Sequence, residues 1–273
     1  MRVVEKAAEL GRSSGKRGVV MTMGALHEGH LRLVRAARDM CDEVVVTIFV
    51  NPLQFNDPSD LARYPRTLAA DLEALEPLGV DLVFAPSLEE MYPAGPPVVR
   101  VSAGRVGEIF EGAARPGHFD GMLTVVLKLL NLTAPDVAYF GAKDAQQVIA
   151  VRRMVADFNL PVKIETVPTV RDPDGLAKSS RNVFLSPEER QLALAIPRAL
   201  AEAAGALEGG LSLPDALVAG RSQLTGLDVD YFAALNPASA ESVPNDYRGE
   251  VLLAVAAKVG QTRLIDNRPA MVR

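Results

Sequence analysis

Short runs of β-branched and other apolar residues recur through the first part of the chain, and each is followed by a stretch whose apolar positions have helical spacing. Gly18 to Met23 reads as a strand, Leu31 to Met40 as a helix and Val44 to Val50 as a fully buried strand. Thr67 to Leu78 then predicts a helix, Asp81 to Ala85 a strand, Gly121 to Leu132 a helix, Val137 to Phe140 a strand, Asp144 to Phe158 a helix and Val162 to Thr166 a strand. Strands that are apolar on both faces, separated by helices, bury themselves as a parallel sheet with helices on each side. The expected fold is therefore α/β, a Rossmann-like doubly wound parallel sheet, in which ligands bind beyond the carboxyl ends of the strands.

After Pro168 the rhythm changes. Ser186-Pro187-Glu188-Glu189 is a strong helix start, with Ser186 as cap, Pro187 in the first turn and Glu189 placed for a capping box. One Ala/Leu-rich helix should run from there to about Leu207 before Gly209-Gly210 breaks it. A second should span Pro214 to Leu224, with strands at Val229 to Leu235, Val251 to Ala256 and Thr262 to Ile265. The pattern predicts two domains, residues 1–169 as the Rossmann-like, ligand-binding part and 170–273 as a smaller α+β C-terminal domain.

Composition excludes several functions. At 48% hydrophobic and 23% charged residues, the 273-residue chain is ordinary for a soluble globular protein with a sizeable core. Cys41 is the sole cysteine, so an intrachain disulfide and a cysteine-built zinc site are excluded, and a reducing compartment fits. No apolar run reaches a membrane span and Met1 to Lys6 lacks signal-peptide character, so the expectation is a cytoplasmic protein without a membrane partner. A net charge of -5 argues against nucleic acid as a partner, so any anionic ligand needs a local cationic site.

The three histidines, His27, His30 and His118, lie outside the stretches that read as core helix or strand. His27 and His30 belong to Thr22-Met23-Gly24-Ala25-Leu26-His27-Glu28-Gly29-His30, between the first strand and the first helix. Gly24 and Gly29 let backbone approach a ligand, and a helix amino terminus offers N–H groups with partial positive charge, which suits a nucleotide phosphate. A spacing of three puts both imidazoles on one helical face. Two solvated loop histidines or a metal pair are the alternatives. For zinc, the spacing differs from His-Glu-x-x-His and no further His or Cys lies nearby in sequence. The glycines match neither the Gly-x-Gly-x-x-Gly dinucleotide fingerprint nor a Walker loop.

Other polar clusters stand after later strands or in turns. Asn51-Pro52-Leu53-Gln54-Phe55 follows the second strand, and its amides can read hydroxyls and carboxylates. Phe140-Gly141-Ala142-Lys143-Asp144-Ala145-Gln146-Gln147 opens a helix, with Lys143 suited to a phosphate. Lys178-Ser179-Ser180-Arg181 sets two hydroxyls between two cations, and Arg115-Pro116-Gly117-His118-Phe119 is a turn with a cation and the third histidine. Singly, these also read as a capped helix start, a solvated loop and a surface turn. In a parallel sheet, clusters placed after successive strands converge on one cleft.

Together and in this order, TMGALHEGH, IFVNPLQF, YPRTL, EMYP, RPGHFDG, TVVLKLLN, PDVAYFG, VPTVR, DGLA and SSRN closely resemble the pantothenate synthetase (pantoate–β-alanine ligase) family. The resemblance is dense from Thr22 through Arg181 and looser to the final TRLIDN; the HxGH element alone indicates only the wider nucleotidyltransferase superfamily. The resemblance implies an ATP site made by Met23, Gly24, Ala25, Leu26, His27, Glu28, Gly29 and His30, by Gly141, Ala142, Lys143 and Asp144, by Val170, and by Lys178, Ser179, Ser180 and Arg181. It implies that Gln54 and Gln147 hold pantoate, that Gln54 borders β-alanine, and that Asn51 and Arg115 support substrate binding. It also implies a homodimer and magnesium (Mg2+), with acidic side chains around Asp71, beside which this chain carries Ala70 and Ala74. Three positions depart from the family pattern: Lys178 replaces Met or another apolar residue, Ala142 replaces Glu, and Ala145 replaces an aromatic residue.

The family reaction implied is ATP-dependent condensation of pantoate with β-alanine through a pantoyl-adenylate, releasing AMP and pyrophosphate. In that scheme His30 donates a proton to the phosphate region with His27 as its partner, Lys143 and Arg181 act as electrostatic clamps, and the loop from Phe55 to Arg66 is a candidate lid. Another HxGH-type nucleotidyltransferase, which would make a nucleotide-containing product, is the alternative, and a nucleotide-binding regulatory module without turnover is a third reading.

Overall fold

A computed structural model of the chain describes residues 1–56 and 58–273. Among these residues the strands β1 (Arg2–Val4), β2 (Arg17–Thr22), β3 (Glu43–Ile48), β4 (Leu82–Phe84), β5 (Val137–Gly141) and β6 (Lys163–Val167) form a parallel sheet in the order β1-β4-β3-β2-β5-β6. From β2 the chain winds outward through β3 and β4, and then β5 pairs on the opposite side of β2. That reversal makes the carboxyl ends of β2 and β5 the switch point of the sheet. Val44, Val45 and Val46 in β3 are fully buried because helices cover both faces of the sheet. The helix Glu28–Met40 turns Leu33, Val34 and Ala37 onto Val20, Val44, Val46 and Val83. β1 escaped the sequence reading because it is three residues long and pairs only with β4 at the sheet edge.

The chain divides into two compact units, one of residues 1–141 with 150–168 and the other of 142–149 with 169–273. The expected change at 169/170 adjoins this division, but Ala142–Ile149 groups with the second unit instead of the first. In the second unit, β7 (Asp228–Leu235), β8 (Gly249–Val259) and β9 (Thr262–Val272) form an antiparallel sheet in that order. β9 runs well past the expected Ile265. Its Pro269 sits opposite Leu252 on an edge strand, where a missing N–H costs no ladder bond. The single helix expected from Ser186 to Leu207 is two, Pro187–Ala193 and Ala195–Glu208. Pro197 has no N–H to give the carbonyl of Ala193, so the helix stops and starts again. Both hydroxyl and carboxylate bonds of the expected Ser186 to Glu189 capping box are formed.

Among the described residues, no helix is long and apolar enough to cross a membrane.

Candidate active site

The loop leaving β2 becomes helix three residues earlier than its apolar spacing suggests, at Glu28 instead of Leu31. His27 is the reason. Its Nδ1 accepts the Gly29 N–H at 3.1 Å, so an imidazole does the work usually given to Ser, Thr, Asp or Asn. The Nδ1 of His30 in turn accepts the His27 N–H at 3.3 Å, completing a reciprocal cap. The two rings lie with centroids 4.2 Å apart. An acceptor role for both Nδ1 atoms assigns the proton of each neutral ring to Nε2. Gly29 is required here: a Cβ at this position would stand 2.8 Å from Cε1 of the folded-back His27 ring. Glu28 points elsewhere, pairing with Arg35 on an exposed face of the helix.

Before the cap, Gly24 has φ +81° and Ala25 φ +51°. Asp71 is buried at 3% exposure and accepts the N–H of Ala25 at 3.1 Å, the N–H of Leu26 at 2.8 Å and the Thr67 hydroxyl at 3.3 Å. Both carboxylate oxygens thus take part in holding this loop, Oδ2 through the Ala25 N–H and the Thr67 hydroxyl and Oδ1 through the Leu26 N–H. Among the described residues there is no group of three His, Cys, Asp or Glu side chains able to hold a metal ion.

A second network follows β3. Asn51 is 1% exposed; its Nδ2 donates to the Gln54 Oε1 at 3.1 Å and to the Gly121 carbonyl at 3.1 Å. Its Oδ1 accepts the Tyr92 hydroxyl at 2.9 Å and the Leu53 N–H at 3.3 Å. Two donors and two acceptor sites are all an asparagine amide has. In this structure the Asn51 amide is thus fully engaged, and one of its bonds supports Gln54. Gln54 Nε2 donates to the Met23 sulfur at 3.0 Å, which orients the amide against the loop after β2. The helix His118–Thr133 starts earlier than expected and takes in His118, which is buried instead of lying in a surface turn. His118 Nδ1 donates to the Gln54 carbonyl at 2.8 Å, and Arg115 donates to His118 Nε2 at 3.1 Å and to the same carbonyl at 3.3 Å. Gly121 lets this helix meet the Pro52–Gln54 turn, since a Cβ there would collide with the Leu53 carbonyl.

Tyr92 had no signal of its own within EMYP. Burial pushes its hydroxyl up to about 12, so it stays a donor to Asn51. Tyr92→Phe is expected to cost about 1 kcal/mol of stability, the net worth of one buried hydrogen bond, read as a lower urea midpoint at unchanged slope. An unchanged midpoint would remove Tyr92 from the network.

A cavity of about 330 Å³ is lined by Met23, Gly24, Ile48, Leu61, Arg66 and Asp71 among others. The stretch expected as an open loop, Phe55 to Arg66, contains the helix Pro58–Arg63, and Asp57 within it lies outside the described residues.

In the second unit, Asn267 Nδ2 donates to the carbonyls of Ala142 and Lys143 at 2.9 and 2.8 Å and pins the turn that presents Lys143. Lys143 Nζ stands 3.5 Å from Asp144 Oδ1. Asp266 is buried and holds Arg171 through two bonds of 2.6 and 3.0 Å. Val170 accepts the Lys178 N–H at 2.9 Å. The Lys178 ammonium is 2.6 Å from Asp172, which also binds Arg190 at 2.8 Å. These two cations, Lys178 first, hold the Asp172 carboxyl below its ordinary value. The family departure at Lys178 thus has a partner in this chain. Ser179 Oγ accepts the Arg181 N–H at 3.2 Å and caps the turn Ser180–Phe184, with Arg181 exposed and Ser180 half-buried. Gln147 is half-buried on the helix Ala145–Asp157.

A doubly wound parallel sheet with a histidine-capped helix start at its reversal point defines an α/β protein of the kind that takes ligands beyond its strand ends. The family model for pantoate-beta-alanine ligase matches residues 1–269. The chain is 48% identical to a pantothenate synthetase of Streptomyces avermitilis, over 93% of this chain and 92% of that one. It is 55% identical to a pantothenate synthetase of Leifsonia xyli, over 91% and 87%. The crystal structure of pantothenate synthetase from Thermus thermophilus superposes with a TM-score of 0.93 at 46% identity, covering 98% of this chain and 99% of that one. A pantoate-beta-alanine ligase from Francisella tularensis, complexed with beta-gamma ATP and beta-alanine, gives a TM-score of 0.80 at 37% identity over 98% and 97%. The chain belongs to the pantoate–β-alanine ligase family and is an enzyme, a ligase.

Proposed function

We propose that the chain condenses pantoate with β-alanine to form pantothenate through a pantoyl-adenylate, consuming ATP and releasing AMP and pyrophosphate. The observation that carries this reading is the His27 and His30 pair, whose Nδ1 atoms are both tied to main-chain N–H groups so that each ring carries its proton on Nε2. Two such donors at the start of a helix suit a phosphate on which charge is growing. The Francisella relative's complex with beta-gamma ATP and beta-alanine supports ATP and β-alanine as substrates here, and the family description supports pantoate.

In the first step a pantoate carboxylate oxygen bonds to the α-phosphorus and the bond to the β-phosphate oxygen breaks, releasing pyrophosphate. In the second, the β-alanine amine attacks the acyl carbon, AMP leaves with the carbonyl–oxygen bond electrons, and the amine gives up a proton. No protein nucleophile is needed. The protein aligns two anions and offsets their repulsion. His30 and His27 serve as donors to the phosphate, with Lys143 and Arg181 as cationic clamps and Ser179 and Ser180 as hydroxyl donors. Gln54, held by Asn51 and Met23, and Gln147 take pantoate. Magnesium enters as the companion of ATP, without Asp71 as its ligand. The same reading makes the protein a cytoplasmic homodimer, for which sedimentation at twice the chain mass is the check.

Phosphorus NMR of the protein with ATP, Mg2+, pantoate and β-alanine is expected to show AMP and pyrophosphate in equal amounts. ADP with phosphate would overturn the ligase reading, and a nucleotide-containing product would favour another nucleotidyltransferase.

A further inference from the structure

Successive main-chain N–H groups in a bent, partly left-handed segment form a concave anion site. In this chain the segment Gly24 to Leu26 has that form, with φ of +81° at Gly24 and +51° at Ala25. Its anion is internal: the Asp71 carboxylate takes the N–H groups of Ala25 and Leu26, 46 and 45 residues away in sequence. The Thr67 hydroxyl bonds the same carboxylate from one turn earlier, at 3.3 Å, and steadies it at the start of the helix Leu68–Leu75. Gly24 packs closely on this carboxylate, since a Cβ there would lie 3.0 Å from Asp71 Oδ2.

We propose that Asp71 is a positioning residue that holds the loop entering the histidine cap, and that it is not a magnesium ligand. Alanine in the left-handed region is strained, and a non-glycine residue remains there only when its surroundings hold it. The bonds from Ala25 and Leu26 supply that hold. Leu26 leads directly into His27, so its main-chain direction sets where the capping ring begins and where the Nε2 atoms of both histidines lie. The N–H groups of Ala25 and Leu26 are consequently occupied by Asp71, and phosphate contacts fall to the imidazoles and the helix start. The inference rests on the proposed roles of His27 and His30.

The test is steady-state pyrophosphate release by wild type, Asp71→Asn and Asp71→Asn/Ala25→Gly, measured against free Mg2+ at saturating ATP. The Ala25 and Leu26 N–H groups bond different oxygens of the carboxylate, so in Asp71→Asn one of them faces the amide NH2 instead of an acceptor. Asp71→Asn is therefore expected to lose roughly 10²-fold in kcat, the scale of a misplaced catalytic group, with KM for ATP and the half-maximal free Mg2+ within about twofold of wild type. Ala25→Gly in that background removes the strain of the left-handed residue and is expected to restore about fivefold. A half-maximal free Mg2+ raised threefold or more, wild-type turnover in Asp71→Asn, or no recovery with Ala25→Gly overturns the proposal. If Asp71→Asn does not fold, Asp71→Glu replaces it. Glu keeps a carboxylate for a metal but displaces it from the loop, so the same loss is expected, and wild-type turnover overturns the proposal. Wild type that forms no pyrophosphate would instead bring down the reading of the reaction itself.

Discussion

His30→Ala is expected to lower turnover roughly 10²-fold or more while the protein stays folded, the range found when one transition-state donor is removed. The ring is half-buried in a loop-to-helix junction, so its removal leaves no cavity in the sheet core. It deletes the Nε2 donor and also the Nδ1 acceptor of the His27 N–H. An interaction made only in the transition state lowers kcat and kcat/KM together, so KM for ATP should change little. Steady-state pyrophosphate release with both organic substrates is the measurement, and wild-type kcat in the variant would falsify the assignment. His27→Ala is a less clean experiment because it also removes the helix cap.

The largest expected loss of stability is at Arg17, at the amino end of β2 and far along the strand from the histidines. Its side chain is 2% exposed, with Nε 2.7 Å from Glu43 Oε2 and Nη1 donating to the carbonyls of Thr133 at 2.7 Å and Gly11 at 3.2 Å. Arg17→Met fills much of the volume but leaves these acceptors without their donor. The cost should be about 3 kcal/mol, the low end of the range for removing one partner of a buried charge pair, because Glu43 keeps 25% of its side chain exposed. Urea unfolding checks it, and a loss under about 1 kcal/mol would mean the guanidinium behaves as a surface charge. Burial alone would raise the Glu43 pKa, but the hydrogen bonds from Arg17 and Ser13 outweigh it and leave the carboxyl lowered. A lowered folded pKa gives stability that is present above the unfolded carboxylate range and fades as pH falls through the folded value. The gap between wild type and Arg17→Met should therefore be widest near neutrality and narrow in acid.

The parallel sheet was legible because its signal is local. Val44, Val45 and Val46 in β3 and the spacing of Leu33, Val34 and Ala37 state which faces are covered. The Ser186 cap was equally plain, its partner Glu189 being three residues on. Element limits were less legible wherever a side chain acts outside its usual repertoire. An imidazole cap drew the first helix back to Glu28, and Pro197 cut a continuous Ala/Leu pattern in two. Lys178 stood out against the family pattern, but its partner Asp172 emerged only where the chain turns back between Arg171 and Ala177.

From residue order alone came the α/β class, the histidine loop after the first long strand, and the family that its motifs resemble, all of which depend on neighbours within a turn or a strand. What holds those groups in place came only with the folded chain. Asp71 reaches Leu26 across 45 residues, Tyr92 reaches Asn51 across 41, and Arg17 reaches the Thr133 carbonyl across 116. Hydrogen bonds of that span leave no periodicity in a sequence, because they depend on which strand ends the sheet order brings together.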